Sequence, residues 1–129
     1  MSDKKHTLAW FELPVSDITR AKAFYSTILG VELASMDLGD GFKMEVFPGE
    51  SGNVSGALVW HAEGWYAPSN THGPLIYFDA DPDLQLALDK VEEAGGSVFI
   101  PKRQISEDHG YMAVIEDTEG NRVALWSKS

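Results

Sequence analysis

Displacing the sequence on itself by 66 positions sets Asp17 on Asp83, Ile18 on Leu84, Ala21 on Ala87 and Gly30 on Gly96. A chain that repeats itself in this way folds as two copies of one supersecondary unit, and the order of its segments says which unit. In the first half, Leu8 to Val15 is aromatic and apolar, and Pro14 suits the end of a strand better than its middle. Asp17 then caps a helix whose apolar face is Ile18, Ala21, Phe24, Tyr25, Ile28 and Leu29, with Gly30 as its stop. Three short apolar segments follow: Val31 to Leu38, Phe42 to Phe47 and Ser55 to His61. Gly39-Asp40-Gly41 and Pro48 to Asn53 divide them, and both stretches are rich in turn formers.

After the polar connection Ala62 to Gly73, the same order begins again. Pro74 to Phe78 reads as a strand. Asp81-Pro82 reads as a cap with proline in the first turn, where a helical N–H would be unpaired anyway. Leu84, Ala87, Leu88, Val91 and Ala94 form the apolar stripe of the second helix, and Gly95-Gly96 ends it. Val98 to Ile100, Tyr111 to Glu116 and Arg122 to Ser127 complete the set, the last two flanking the turn Asp117-Thr118-Glu119-Gly120-Asn121. Each half is thus a βαβββ module, and the fold class is α+β. One module alone would leave a sheet face and edge strands open, so two must pair, within the chain or across a dimer. We expect one domain over 1–129, with module one at about 7–61 and module two at about 73–128, each helix packed on its sheet through Phe24, Ile28, Leu29 and Leu84, Leu88, Val91.

A chain of 129 residues can bury a core without staples, and the absence of cysteine removes disulfides, thiolate catalysis and zinc–thiolate sites together. A formal charge of −10 repels nucleic acid and favours a neutral or cationic small ligand. No stretch approaches the roughly 18 consecutive apolar residues of a membrane span, and Met1 to His6 lacks the apolar core of a signal peptide. The expected address is cytoplasmic, with no membrane or nucleic-acid partner.

Paired βαβββ modules with Asp17 to Tyr25 after the first strand, Gly95-Gly96 after the second helix and Asp117 to Asn121 in the last hairpin resemble the vicinal-oxygen-chelate superfamily of glyoxalases, bleomycin-resistance proteins and dioxygenases. The resemblance covers nearly the whole chain, and Phe11-Glu12-Leu13-Pro14-Val15 is most similar to its single-domain glyoxalase-like branch. It implies a cup-shaped sheet around a small ligand, but no particular reaction. Metal-dependent members present His or Glu from the first, fourth, fifth and last strands. Here those positions fall on Trp10, on Leu58, Val59 or Trp60, on Pro74, Leu75 or Ile76, and on Ala124, none of which supplies a usual donor. We therefore expect no metal and no other cofactor at the inherited site. A displaced site drawn from Glu12, His61, His72 and His109 is the alternative, although their spacing matches no two-ligand motif on a single element.

What remains for chemistry is Glu12. Strand alternation puts it on the same face as Trp10, so if Trp10 faces the ligand, Glu12 does too. Among apolar neighbours its carboxylate would be desolvated and poised as a general base or as an anchor for a ligand donor. Trp10, Trp60, Tyr77 and Trp126 are the candidate aromatic lining, with Trp60 and Trp126 favoured because each ends a strand. Gly64 to Thr71 fits neither helix nor strand, and its Trp65 and Tyr66 suggest a lid or a dimer contact. The expected function is small-molecule binding or cofactor-free catalysis by a homodimer. The rivals are a metal-dependent lyase, isomerase or dioxygenase with displaced ligands, and a drug-sequestering protein of the bleomycin-binding kind.

Overall fold

Each half of the chain builds one four-stranded sheet carrying one helix, and the two sheets share an order. The computed structural model describes residues 6–50 and 53–129; the first five residues and Ser51-Gly52 of the second turn lie outside the described residues. The first module runs β1 (Trp10–Pro14), α1 (Ile18–Leu29), β2 (Ala34–Gly39), β3 (Phe42–Val46) and β4 (Ser55–His61). The second runs β5 (Tyr77–Asp79), α2 (Leu84–Leu88), β6 (Ser97–Ser106), β7 (Gly110–Glu116) and β8 (Arg122–Ser127). The sheet orders are β1-β4-β3-β2 and β5-β8-β7-β6, with the first and last strands of each module parallel and the other neighbours antiparallel.

The caps behave as their residue types require. Asp17 accepts the Arg20 N–H at 3.0 Å to open α1, and Gly30 closes it in the left-handed conformation that glycine adopts without strain. In the second module the cap is Asp83 rather than Asp81. Its carboxylate takes the Gln85 N–H at 2.9 Å and the Lys102 ammonium at 2.7 Å, whereas Asp81 holds the Lys128 N–H and its bond to Pro82 is cis. Regular helix also ends earlier than the stripe predicts, at Leu88. Tighter turns, Lys90 N–H to Ala87 O and Val91 N–H to Leu88 O, continue toward Gly95. Both geometries leave Leu84, Leu88 and Val91 buried, so the apolar stripe alone does not distinguish them. β6 runs six residues past the expected Ile100, because a register shift between Ile100 and Arg103 absorbs Pro101 instead of ending the strand.

One apolar core runs through both modules. Phe24 and Ile28 of α1 belong to it with Leu84, Leu88 and Val91, as do Leu13 and Leu58 from the first sheet and Ile115 and Leu125 from the second, and Leu29 packs against it. The rings of Phe11 and Phe78, from the first strand of each module, meet edge to face with centroids 5.7 Å apart. Gly96 lies where a Cβ would stand 2.8 Å from the Phe24 ring and 2.6 Å from the Glu116 carbonyl, so only glycine fits there.

Polar groups of the β7–β8 turn fasten the modules. Glu119 Oε1 accepts the N–H groups of Ser16 and Asp17 at 2.9 and 2.7 Å, and its other oxygen pairs with Arg20 Nε at 2.7 Å. Asn121 donates to the Pro14 carbonyl at 2.6 Å. Burial opposes the Glu119 charge, but hydrogen bonds from Arg20, Asp17, Thr118 and Ser16 outweigh it and hold the carboxyl below its ordinary value.

Candidate functional site

Two residues placed opposite each other in a ladder share a sheet face, so the registers sort the candidate residues. Phe11, Leu13 and Leu58 face the helices. Trp10, Glu12 and Pro14 therefore face away from them, with Ser55, Ala57 and Val59 opposite on β4 and Met44 beyond on β3. In the second sheet Phe78 and Leu125 face the helices, which turns Tyr77, Ala124 and Trp126 the other way, with Met112 beside Trp126. Met112, Val114 and Ala124 form a small apolar cluster on this face, apart from the main core, with Leu75 and Ile100 against it.

Trp60 does not join this group. It neighbours Leu58 by two along β4 and packs against the main core on the helix side, where Lys43 lies 5.4 Å from its ring. Because side chains alternate along a strand, the residues of β4 that share the face of Glu12 are Ala57, Val59 and His61 rather than Leu58 and Trp60. Trp126 lies on the expected face, and its indole N–H is committed to the His109 carbonyl at 2.7 Å.

Glu12 is exposed, so the desolvation expected from tryptophan neighbours is absent. It is instead held by a partner the sequence reading did not pair with it. Tyr66, in the connection between the modules, donates its hydroxyl to Glu12 Oε1 at 2.8 Å, while the Trp10 indole approaches Oε2 at 3.4 Å, a long and weak contact. The bond to Glu12, with partial burial, raises the Tyr66 phenol above its ordinary value. Phe42 packs edge to face against Tyr66, Trp65 and His61, and Trp65 stacks on His61 with centroids 4.0 Å apart. The connection 62–73 is thus a strap across the helix-free face of the first sheet, pinned by Glu12 at Tyr66. Its far end is tied to the second sheet where Ser69 O accepts the Arg122 N–H and Asn70 donates to Glu116 at 2.8 Å.

The structure does not assemble the displaced metal ligands. His61 is buried; its Nδ1 accepts the Glu63 N–H at 3.0 Å, which leaves Nε2 as the donor to the Asp40 carbonyl at 3.0 Å and no free lone pair for a metal. His72 and His109 are exposed and bound through Nδ1 to Thr71 and Ser106. Of the positions at which the resemblance places the metal ligands, Trp10, Val59 and Ala124 stand on the helix-free faces, and none of them carries an imidazole or a carboxylate. No group of three or more His, Asp or Glu side chains among the described residues is arranged to hold an ion. The residues therefore do not fit the divalent metal that the sequence resemblance implies.

A cavity of about 510 Å³ opens elsewhere, along the seam between β1 and β5. Leu8, Phe11, Phe47, Leu75 and Phe78 line it, with Tyr77 and Asp79; Glu12 is not part of its wall. Of the residues singled out for the ligand site, Tyr77 alone borders this space.

Known proteins share this fold. The model of the Glyoxalase/Bleomycin resistance protein/Dioxygenase superfamily matches residues 7–125. The proteins called "Putative glyoxylase CFP32" in Mycobacterium tuberculosis and Mycobacterium bovis are each 30% identical over 131 residues, which cover 95% of this chain and 46% of theirs. The chain thus spans about half the length of these curated relatives. A glyoxylase/bleomycin resistance protein/dioxygenase domain from Frankia sp. EAN1pec superposes with a TM-score of 0.74 at 18% identity, over 98% of this chain and 100% of that one. TnmS3, an antibiotic binding protein from Streptomyces sp. CB03234, superposes with a TM-score of 0.66 at 25% identity over the whole of both chains. Among the described residues no helix is long and apolar enough to cross a membrane.

Proposed function

The chain belongs to the glyoxalase/bleomycin resistance protein/dioxygenase superfamily, and on that premise we propose that it binds a small organic molecule on the helix-free face of the first sheet, beside the strap, without a resident metal. The observation that carries this reading is the pairing of Glu12 with Tyr66 beside the aromatic rings of Trp10, Phe42 and Trp65. A carboxylate held by one weak-acid donor keeps acceptor capacity for a ligand N–H, and flanking rings favour a flat or cationic partner. The net charge of −10 supports the same class. Antibiotic sequestration is the form of binding best supported, because the likeness to TnmS3 extends over both whole chains.

Association of two copies belongs to the same reading. Every residue of β2 is exposed, including Met36 and Leu38, and Trp65 stands 65% exposed on the strap. A second subunit would cover such an edge.

Titration of intrinsic tryptophan fluorescence with cationic aromatic antibiotics tests the binding reading. Saturable quenching by at least one compound, weakened about tenfold in Glu12→Gln, is the expected result, equivalent to one charge-assisted hydrogen bond. Equal affinity of Glu12→Gln and wild type for every compound that binds would move the site away from Glu12.

A further inference from the structure

A second cavity, of about 320 Å³, lies at the far end of the strap, where Asn70, Thr71, Phe99, Ile115, Glu116 and Arg122 line it. Arg122 opens β8 and pairs across the ladder with Glu116, so opposite charges stand side by side on one sheet face. The two do not close into an ion pair: Arg122 takes part in none of the salt bridges among the described residues, and Glu116 is occupied by the Asn70 amide. Arg122 Nε is buried from solvent and has no hydrogen-bond partner. A buried guanidinium donor without an acceptor is costly, and folded proteins rarely leave one so. Beside it Phe99 is 69% exposed, a bare aromatic face at the cavity wall.

We propose that this cavity binds a small apolar α-amino acid. The ligand carboxylate docks on the terminal Nη groups of Arg122, since Nε is closed to solvent, and the planar guanidinium suits two oxygens. Its ammonium faces Glu116, and its side chain lies along Phe99. Glu116 and the negative charge of the chain disfavour phosphate and other dianions, which narrows the anion to a carboxylate with a positive group beside it. The site is separate from Glu12, and stands or falls without it. Its link to the rest of the fold is the strap, since Asn70 and Thr71 belong to the same connection as Tyr66.

The test is backbone amide NMR of the full chain titrated with phenylalanine, 3-phenylpropionate and phenethylamine, which carry both charges, the carboxylate alone and the ammonium alone. Phenylalanine should bind with a Kd of ~1 mM or tighter and shift the amides of Asn70, Thr71 and Arg122. 3-Phenylpropionate should bind more weakly and phenethylamine not at all. Arg122→Gln should weaken phenylalanine at least about tenfold, Arg122→Lys less, since it keeps the charge and loses the fork. Phe99→Ala, at an exposed position that leaves the core intact, should weaken it by a smaller factor. The proposal is overturned if phenylalanine shifts none of these amides, if Arg122→Gln binds it as wild type does, or if either single-charge analogue binds as well as phenylalanine.

Discussion

The hydroxyl of Tyr25, on the first helix, donates to Oδ2 of Asp117, at the start of the last turn, across 2.6 Å and 92 residues of chain. Both groups are buried. Burial pushes the Asp117 carboxyl up from its ordinary value, against hydrogen bonds from Tyr25, Asn121 and Glu119 that pull it down. Burial also drives the Tyr25 phenol well above its ordinary value, with the Asp117 charge acting in the same direction.

Tyr25→Phe removes the donor and leaves the acceptor in place. We expect a loss of about 1–2 kcal/mol in urea unfolding, the usual cost of stranding a buried polar group. A change within error would mean that the Asn121 amide and backbone N–H groups suffice for Asp117.

Acid separates Asp117 from its neighbour Glu119. Glu119 has a folded pKa below the unfolded value of about 4.5, so its contribution is present above that pH and is lost as pH falls through the folded pKa. Asp117 has the opposite sign: its folded pKa is raised, so it favours folding below about 3.8 and that contribution is lost as pH rises. Glu119→Gln should therefore be less stable than wild type at pH 7, by about 2 kcal/mol, and the difference should shrink as pH falls below about 4.5 and on through the lower folded pKa. Thermal melts across pH 3 to 7 measure this, and a constant difference would refute it.

Tyr66 reports on Glu12 directly. The hydrogen bond to the Glu12 carboxylate heads the causes that raise the phenol's pKa, so Glu12→Gln should lower it toward the ordinary value of about 10. Ultraviolet titration of tyrosinate, with Tyr66→Phe as the assignment control, reads the shift; no movement would show that the strap is not pinned through this bond in solution.

Light scattering at tens of micromolar, the rough range in which obligate dimers stay paired, should give twice the chain mass. Replacing Leu38, 51% exposed on the edge strand, by lysine should reduce it to one. A monomer at that concentration for the native chain would count against the pairing.

The two modules were legible because burial writes itself into the sequence at periods of two and 3.6, and because Asp17, Gly30 and Gly96 hold positions that few residue types can fill. The length of β6 was not, since Pro101 ends a strand unless a bulge absorbs it, and that depends on the neighbouring strand. The sheet face on which the candidate residues stand was legible in part. Alternation along β1 put Trp10 and Glu12 on one face, but it also put Trp60 with Leu58, which favouring Trp60 for its position at a strand end overlooked. The Tyr66 bond joins residues 54 positions apart, through a segment without periodicity, and no local pattern announces it. The turn 117–121 was recognised as a turn, yet its fastening role requires knowing that Ser16 and Pro14 arrive beside it.

That fastening gives the turn a second meaning. Glu119 and Asn121 are spent on the backbone of another module, so neither is available to a ligand, although both belong to the segment by which the chain resembles its relatives. A chain can thus retain its most recognisable residues while everything it does to other molecules changes, for the likeness is preserved by folding and the chemistry by other positions. Kinship read from such a segment forecasts architecture and is silent about substrate.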